Sequence, residues 1–350
     1  SIRPAKGIHV AVPAEKLRGV TTSVFAALGI PASEAALMGE SLVDADLRGV
    51  HSHGTRWVLR YARWLQGGAN KNPNITAIRD DGPTAALDGD RGLGHVVSAF
   101  AMRMAINKAK EHGTGVVTVR NSNHCGAMAY YTGMAADAGC IGFATSTAGI
   151  LMAPSGGRDK LIGVNPASWG FPTSRGWNLD LDMAPSIVAG SKIDMAKIRG
   201  EKIPLGLALD KDGNPTDDPT KALEGVLLPV GGIKGYALAV VFDVLSGVLS
   251  GGRFGKGLGM EGGSQIFQAI DVEKFMPLDE FKGRMELLIA QIKGSALVPG
   301  SKGVFLPGEI EYMNKQERLK NGILLEVTTL DDIETIAAEL GIADRPSAWG

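Results

Sequence analysis

Apolar residues recur at helical spacing along much of the chain. This spacing predicts helices over 13–28, 32–47, 51–66, 96–112, 126–138, 221–251, 278–297 and 330–340. Short runs of mostly apolar residues predict strands at 115–119, 141–145, 169–171, 179–182 and 323–328. Because the polar turn 173–176 joins two of these strands as in a hairpin, an α/β protein with a mixed or antiparallel sheet is favoured over a purely parallel one.

Length, charge and cysteine content exclude several classes of function. The 350 residues are enough for two or three domains, and 36 basic against 37 acidic residues give no electrostatic signature of nucleic-acid or membrane binding. The longest apolar stretch, 236–249, is too short and too polar to span a bilayer. Cys125 and Cys140 form no metal-ligand or disulfide pattern, so no metal site is expected. With no apolar leader at the start, a cytoplasmic location is expected.

The familiar nucleotide-binding motifs give no support. The only G-x-G-x-x-G match lies at 257–262, where no strand precedes it and a polar Ser-Gln segment follows. We therefore interpret it as a loop, since the dinucleotide fingerprint requires a strand before it and a helix after it. Sequences typical of P-loop NTPases, zinc peptidases and α/β-hydrolases do not occur.

Two histidines lie at junctions where a loop meets a helix. His53 stands in a Ser-His-Gly turn before a helix with Arg56, Arg60 and Tyr61, and His124 ends an Asn-Ser-Asn-His segment. A histidine titrates near working pH and suits proton transfer coupled to hydride transfer, while an arginine can hold a substrate carboxylate. Taken alone, a histidine at such a junction is more often a structural residue.

Several glycine-rich segments can approach a phosphate. They include 231–236, with Lys234, and the segments 181–185 and 306–309. Glycines next to a cation can bring backbone amides to an anion, although each segment taken alone is better explained as an ordinary turn.

In this order, from about Leu47 to Glu311, these segments resemble the malate/L-lactate dehydrogenase family that is unrelated to the Rossmann-type enzymes. The resemblance implies a mostly antiparallel dinucleotide-binding sheet of non-Rossmann topology with flanking helical regions, NAD or NADP as cofactor, and a homodimer with the site near the interface. It divides the chain into a helical region (1–70 with 312–350), a sheet domain (71–225 with 300–311) and a second helical domain (226–299).

The resemblance also implies roles for individual residues. His53 and His124 match the histidines of catalysis or substrate binding, and Tyr61 matches a substrate-side tyrosine; Ser52, Arg56 and Arg60 lie beside them. The positions that match dinucleotide contacts are Asp182, Met183, Ala184, Lys234, Pro307, Gly308 and Glu309.

One departure concerns the substrate. Family members often carry an arginine four residues after the histidine of Ser-His-Gly, where this chain has Trp57. Arg56 is displaced from that direction by about 100° of helix rotation. A bulkier, more apolar substrate is therefore an open possibility.

The resulting hypothesis is an oxidoreductase that moves a hydride between nicotinamide and a small 2-oxo or 2-hydroxy acid, with His53 favoured over His124 as the general acid and base. Two alternatives stay open. One is a reductase of cyclic imines of the piperideine-2-carboxylate type, and the other is a cofactor-binding protein without catalysis.

Overall fold

Residues 9–257 and 263–349 are described by the structure, which is a computed structural model. The helices of this part are α1 (Ala14–Ala27), α2 (Ala32–Arg48), α3 (Val58–Gln66), α4 (Gly94–His112), α5 (Ala129–Asp137), α6 (Gly190–Arg199), α7 (Pro219–Glu224), α8 (Ile233–Asp243), α9 (Leu278–Lys293), α10 (Glu309–Asn321) and α11 (Val327–Glu339). The strands are β1 (His9–Val12), β2 (Thr76–Asp81), β3 (Thr84–Asp88), β4 (Thr114–Arg120), β5 (Cys140–Ser146), β6 (Ile150–Met152), β7 (Ile162–Gly163), β8 (Ala167–Phe171), β9 (Leu179–Met183), β10 (Ala208–Leu209), β11 (Val226–Leu227), β12 (Gln265–Asp271) and β13 (Ile323–Glu326).

The largest sheet has seven strands in the order β2-β3-β4-β12-β5-β8-β9. Its neighbouring strands run antiparallel except for β3 and β4. The predicted hairpin is present as β8 and β9, with Trp169 opposite Leu181. Since a Rossmann sheet is built of parallel strands with helical crossovers, the predicted mixed, mostly antiparallel and non-Rossmann sheet is confirmed.

The centre of this sheet lies where no strand is predicted from sequence. Strand β12 pairs with β4 on one side and β5 on the other, within the range 226–299 expected to be helical. Gln265, Gln268 and Asp271 interrupt its apolar pattern, yet Gln265 and Asp271 are buried. Burial between two strands satisfies the backbone of β12 whatever its side chains are, so local pattern gives little sign of it.

Two predicted helices are also wrong in extent. The range 221–251 contains α7, strand β11, α8 and a π-helical turn at Val244–Val248. Gly225 and the Pro-Val-Gly-Gly segment 229–232 break it, because neither proline nor paired glycines favour continued helix. The range 51–66 holds two 3₁₀ turns, His51–His53 and Thr55–Trp57, before α3 begins.

Both ends of the chain contribute to one helical layer. Strand β1 pairs with β13, and α1, α2, α3 and α11 share a core that includes Phe25, Tyr61 and Ile336. Helices α4 and α5 pack on the large sheet around Met102 and Phe267. A smaller cluster surrounds the four-stranded sheet β10-β11-β6-β7.

Two further sequence expectations concern the G-x-G-x-x-G match and membrane-spanning helices. Residues 258–262, most of the G-x-G-x-x-G match, lie outside the described residues. Among the helices of the described ranges, none combines the length and apolar character needed to cross a membrane.

Candidate active site

The turn that carries His53 is wound around a buried carboxylate. Asp46, in the last turns of α2, accepts hydrogen bonds at Oδ2 from Thr55 N (2.8 Å) and Thr55 Oγ1 (2.6 Å) and at Oδ1 from His51 Nδ1 (2.8 Å). Gly54 permits this approach, because a Cβ there would lie 2.1 Å from Asp46 Oδ1. The competing hydrogen bonds to Asp46 explain why residues 51–57 form tight turns and not the first part of a regular helix.

The structure brings the two predicted histidines together. The rings of His53 and His124 are stacked with centroids 5.6 Å apart, although 71 residues of sequence separate them (124 − 53). Ser52 Oγ lies 2.9 Å from His53 Nδ1, and Tyr61 Oη lies 2.6 Å from His124 Nδ1. Each histidine therefore uses Nδ1 for a hydroxyl group, which leaves Nε2 for a substrate.

Trp57 forms one wall of this site. Its indole stacks on His124 at 4.4 Å between centroids, and its Nε1 donates to Ser52 O at 2.7 Å. The guanidinium of Arg60 lies over the Trp57 ring at 4.8 Å and over Trp64 at 5.5 Å. The tryptophan thus fixes the orientation of His124, and a cation–π contact holds Arg60 beside it.

Burial keeps both histidines neutral. It lowers the pKa of His53 to about 4, with a further contribution from the charge of Arg56, which is exposed. The pKa of His124 is well below its ordinary value, mainly through burial and then through His53. The pKa of the buried Tyr61 hydroxyl is raised well above 10, so this group keeps its proton. Near pH 7 the site therefore contains uncharged imidazoles, which can accept a proton.

A third histidine, His95, lies beside Tyr61 and is not among the residues predicted from the sequence. His95, at the start of α4, is buried edge-on to Tyr61 with centroids 5.3 Å apart. Burial lowers the pKa of His95 to about 3. In the sequence, His95 stands just before the predicted helix 96–112 and belongs to no recognisable motif. Its proximity to Tyr61 depends on how α3 and α4 pack, which the sequence pattern does not indicate.

The segment before His124 is held by two amide side chains. Asn123 Nδ2 donates to Arg91 O (2.9 Å) and Gly92 O (2.8 Å), while Gln265 Nε2 donates to Asn123 O (3.1 Å). Gln265 belongs to the unpredicted strand β12, so its link to the site could not be inferred from the sequence.

All three predicted cofactor segments are attached to β9 or to the residues that follow it. The carboxylate of Asp182 accepts from Ala129 N (2.8 Å), at the start of the helix that follows His124. Val230 N donates to Pro185 O (2.7 Å), and Asp180 N donates to Pro307 O (3.2 Å). The segment 307–309 therefore lies at the start of β9 and the segment 231–234 lies beyond its end. The segment 182–184 lies between them and is hydrogen-bonded to the histidine side of the sheet.

The start of α8 fits a dinucleotide phosphate. Gly231 and Gly232 have φ values of 62° and 64° and form the turn before α8. Gly232 N donates to Pro229 O at 3.2 Å and Lys234 N donates to Gly231 O at 3.4 Å, so these two amides are already used within the turn. Lys234 is exposed in the first turn of α8 and pairs with no carboxylate of the described ranges. Its charge suits a pyrophosphate.

Glu309 is engaged within its own chain. Its carboxylate contacts Lys293 Nζ and accepts from Leu306 N at 3.0 Å, and these contacts fix the turn of Pro307 and Gly308 before α10. Met183 and Ala184 are partly exposed beside Asp182. Glu309 therefore acts on the shape of the segment, while its own contact with a cofactor stays a prediction.

Known proteins share this architecture over nearly the whole chain. The family model of malate/L-lactate dehydrogenase matches residues 12–334. A malate dehydrogenase of Pyrococcus abyssi is 39% identical over 348 residues, covering 95% of this chain and 96% of the relative. The structure of sulfolactate dehydrogenase from Methanocaldococcus jannaschii has a TM-score of 0.89 at 37% identity, covering 96% of this chain and 98% of that chain.

A more distant structure bears on one alternative. The delta1-piperideine-2-carboxylate reductase of Pseudomonas syringae pvar.tomato has a TM-score of 0.83 at 26% identity, covering 94% of this chain and 100% of that one. The match to the family model and the identity to the malate dehydrogenase both span far more than half of the chain. This chain therefore belongs to the malate/L-lactate dehydrogenase family and is an oxidoreductase.

Proposed function

We propose that the chain is an NAD(P)-dependent dehydrogenase of small 2-hydroxy acids, with His53 as the base that removes the hydroxyl proton. The relatives support the substrate class, since those described above are named for malate and sulfolactate. The observation that carries the assignment of His53 is the difference between the hydroxyl partners of the two histidines.

The hydroxyl of Tyr61 limits His124 to one tautomer. Tyr61 is buried and keeps its proton, and a buried hydroxyl requires an acceptor, which His124 Nδ1 provides. Neutral His124 then carries its proton on Nε2 and can donate a hydrogen bond to the substrate oxygen.

Ser52 leaves His53 free to take either tautomer, because a serine hydroxyl can donate or accept. When Ser52 accepts from Nδ1, the Nε2 lone pair of His53 faces the site as a base. In oxidation, His53 takes the hydroxyl proton while His124 holds the oxygen; in reduction, protonated His53 returns it. Bound nicotinamide would accept or supply the hydride.

The residues around the end of β9 would hold the dinucleotide. The charge of Lys234 suits the pyrophosphate, and the segments 182–184 and 307–309 would complete the site. Either NAD or NADP fits this set of residues. The exposure of Lys234 and the attachment of both other segments to β9 support this assignment.

Trp57 and the two arginines would determine the choice of acid. Ser52, Arg56, Arg60 and Tyr61 are proposed as substrate-binding residues. Arg60, whose guanidinium lies over Trp57, offers its N–H groups for a carboxylate, and the indole offers an apolar surface for a larger side chain. This combination favours bulkier acids than malate.

A cyclic imine is the second candidate substrate. The distant similarity to a piperideine-2-carboxylate reductase favours it, and the same pair of histidines could protonate a ring nitrogen. A protein that binds the cofactor without catalysis is less well supported, because His53, His124 and Lys234 are all in place.

We further propose a cytoplasmic homodimer with the site near its interface. The buried free thiols of Cys125 and Cys140 suit a reducing compartment.

Leu238, Val241 and Val248 on and just after α8 are 43%, 49% and 49% exposed, an apolar face that a second copy would cover. The division into 1–70 with 312–350, 71–225 with 300–311, and 226–299 is likewise proposed, except that β12 (Gln265–Asp271) of the last range belongs to the large sheet. Limited proteolysis with cuts near these bounds would support it.

Turnover of a substrate panel tests the function. Absorbance at 340 nm is followed with NADH and NADPH against pyruvate, oxaloacetate, branched and aromatic 2-oxo acids and piperideine-2-carboxylate. We expect oxidation of the cofactor with at least one 2-oxo acid, and faster with a bulky one because of Trp57. Turnover of the imine alone would favour the reductase, and cofactor binding without any turnover would support the non-catalytic protein.

Replacement of the proposed base should abolish most activity. His53→Ala should lower kcat by about 10²–10⁴-fold, because proton transfer by a positioned side chain contributes that much. His112→Ala is the matched control, since His112 is exposed at the end of α4. A loss of only a few-fold for His53→Ala would contradict its role.

The pH dependence of oxidation should extend to unusually low pH. Since the pKa of His53 is lowered to about 4, kcat/KM for the hydroxy acid should stay flat from about pH 9 to pH 6 and fall only towards pH 4. A fall of kcat/KM centred near pH 6.5 would instead indicate a base with an ordinary pKa, in contact with solvent. In the unfolded chain the histidines of the site bind a proton near pH 6.5, whereas in the folded chain their pKa is far lower. The free energy of unfolding therefore also decreases as the pH falls below 6.5. Circular dichroism at each pH separates the two effects.

The proposed dimer has its own test. Sedimentation equilibrium should give twice the mass of the chain, and Val241→Asp should give the monomer mass, because a charge on the apolar face opposes its burial. Arg284→Asp, at an exposed position of α9, is the control. A monomer for the unmodified chain at micromolar concentration would rule out the dimer.

A further inference from the structure

We propose that Asp46 is the positioning residue of this enzyme, which sets the place of His53 without touching the substrate. This inference rests on the proposed function in one respect, since His53 is taken as the base. Asp46 lies outside the motifs that suggested the site, seven residues before His53 (53 − 46).

The carboxylate of Asp46 is buried, and both of its oxygens accept hydrogen bonds. The residue is 1% exposed, and its two oxygens accept the three hydrogen bonds from His51 and Thr55. A buried carboxylate is tolerated only where such donors replace water, so each of them is held in place strongly. The two carboxylate oxygens of Asp46, as hydrogen-bond acceptors, therefore determine the path of residues 51–55.

His53 has little else to hold it in that path. Its backbone N donates to Val50 O at 2.9 Å, and its ring contacts Ser52 and His124. It lies between His51 and Thr55, the two residues fastened to Asp46. Any shift of the turn would move the His53 ring relative to His124, which is held from outside the turn by Tyr61 and by the hydrogen bonds of Asn123.

The same end of α2 is attached to the cofactor side. Arg318 Nη1 donates to Asp46 O, and Asn314 Nδ2 donates to Arg48 O (3.3 Å), so α10 packs along this end of the helix. Arg48 Nη2 contacts Asp180 Oδ2 at 3.2 Å, next to the Pro307 contact. Asp46 therefore places His53 relative to the very elements that would carry the dinucleotide.

The test uses variants that remove the acceptor or one donor. Asp46→Asn should lower kcat by about 10²-fold with little change in the KM for the cofactor, because a displacement of about 1 Å costs that much in rate. Asp44→Asn is the control, since Asp44 lies on the same helix and bonds to Lys315. Thr55→Val should lower kcat and Thr55→Ser should restore it, because serine keeps the hydroxyl that Asp46 accepts from.

A double-mutant cycle separates positioning from general damage. In the His53→Ala background, Asp46→Asn should cause no further loss, because the group that it positions is absent. An equal loss in both backgrounds would overturn the inference, as would unchanged kcat in Asp46→Asn or equal rates for Thr55→Val and Thr55→Ser.

One readout requires no turnover. The imidazole NMR signals of His53, assigned by their absence in His53→Ala, should shift in Asp46→Asn and stay in place in Asp44→Asn. If the enzyme turns over none of the proposed acids but these signals shift, the proposed function fails and the positioning role stands. If they do not shift, the positioning role fails whatever the substrate is.

Discussion

The buried carboxylate of Asp46 is the contact on which the histidine site depends. An ionised group in the interior is stable only when donors replace its lost water, and here those donors come from the turn that carries His53. The turn therefore cannot relax into the regular helix that its sequence favours. Gly54 belongs to the same constraint, because only glycine allows the backbone to pass so close to the carboxylate.

The chemistry of the site follows from desolvation. His53, His124 and His95 lie among aromatic rings with no carboxylate partner, so burial lowers the pKa of all three. Neutral imidazoles can be bases or hydrogen-bond donors according to tautomer, and the neighbouring hydroxyl decides which. Ser52 and Tyr61 thus give different roles to two rings that are otherwise alike.

Edge strand β9 connects the two halves of the proposed reaction. Asp182 bonds to the start of α5, Asp180 bonds to the Pro307 turn and to Arg48, and the chain after Met183 meets the start of α8. The pair of His53 and His124 and the segments proposed to bind the dinucleotide are thereby held by a common framework. A framework of this kind is what hydride transfer needs, since the reacting atoms must meet at about 3–3.5 Å.

The sequence by itself determined the fold class, the two histidines and the family, because these depend on local periodicity and on short motifs in a fixed order. It also identified Trp57 as a departure without indicating what the indole contacts. Only the tertiary structure decided that β12 is the central strand, that Asp46 holds the turn of His53 and that His95 lies against Tyr61. Each of these three features depends on contacts between residues far apart in the chain or on the burial of a side chain. The spacing of neighbouring side chains along the sequence encodes neither kind of information.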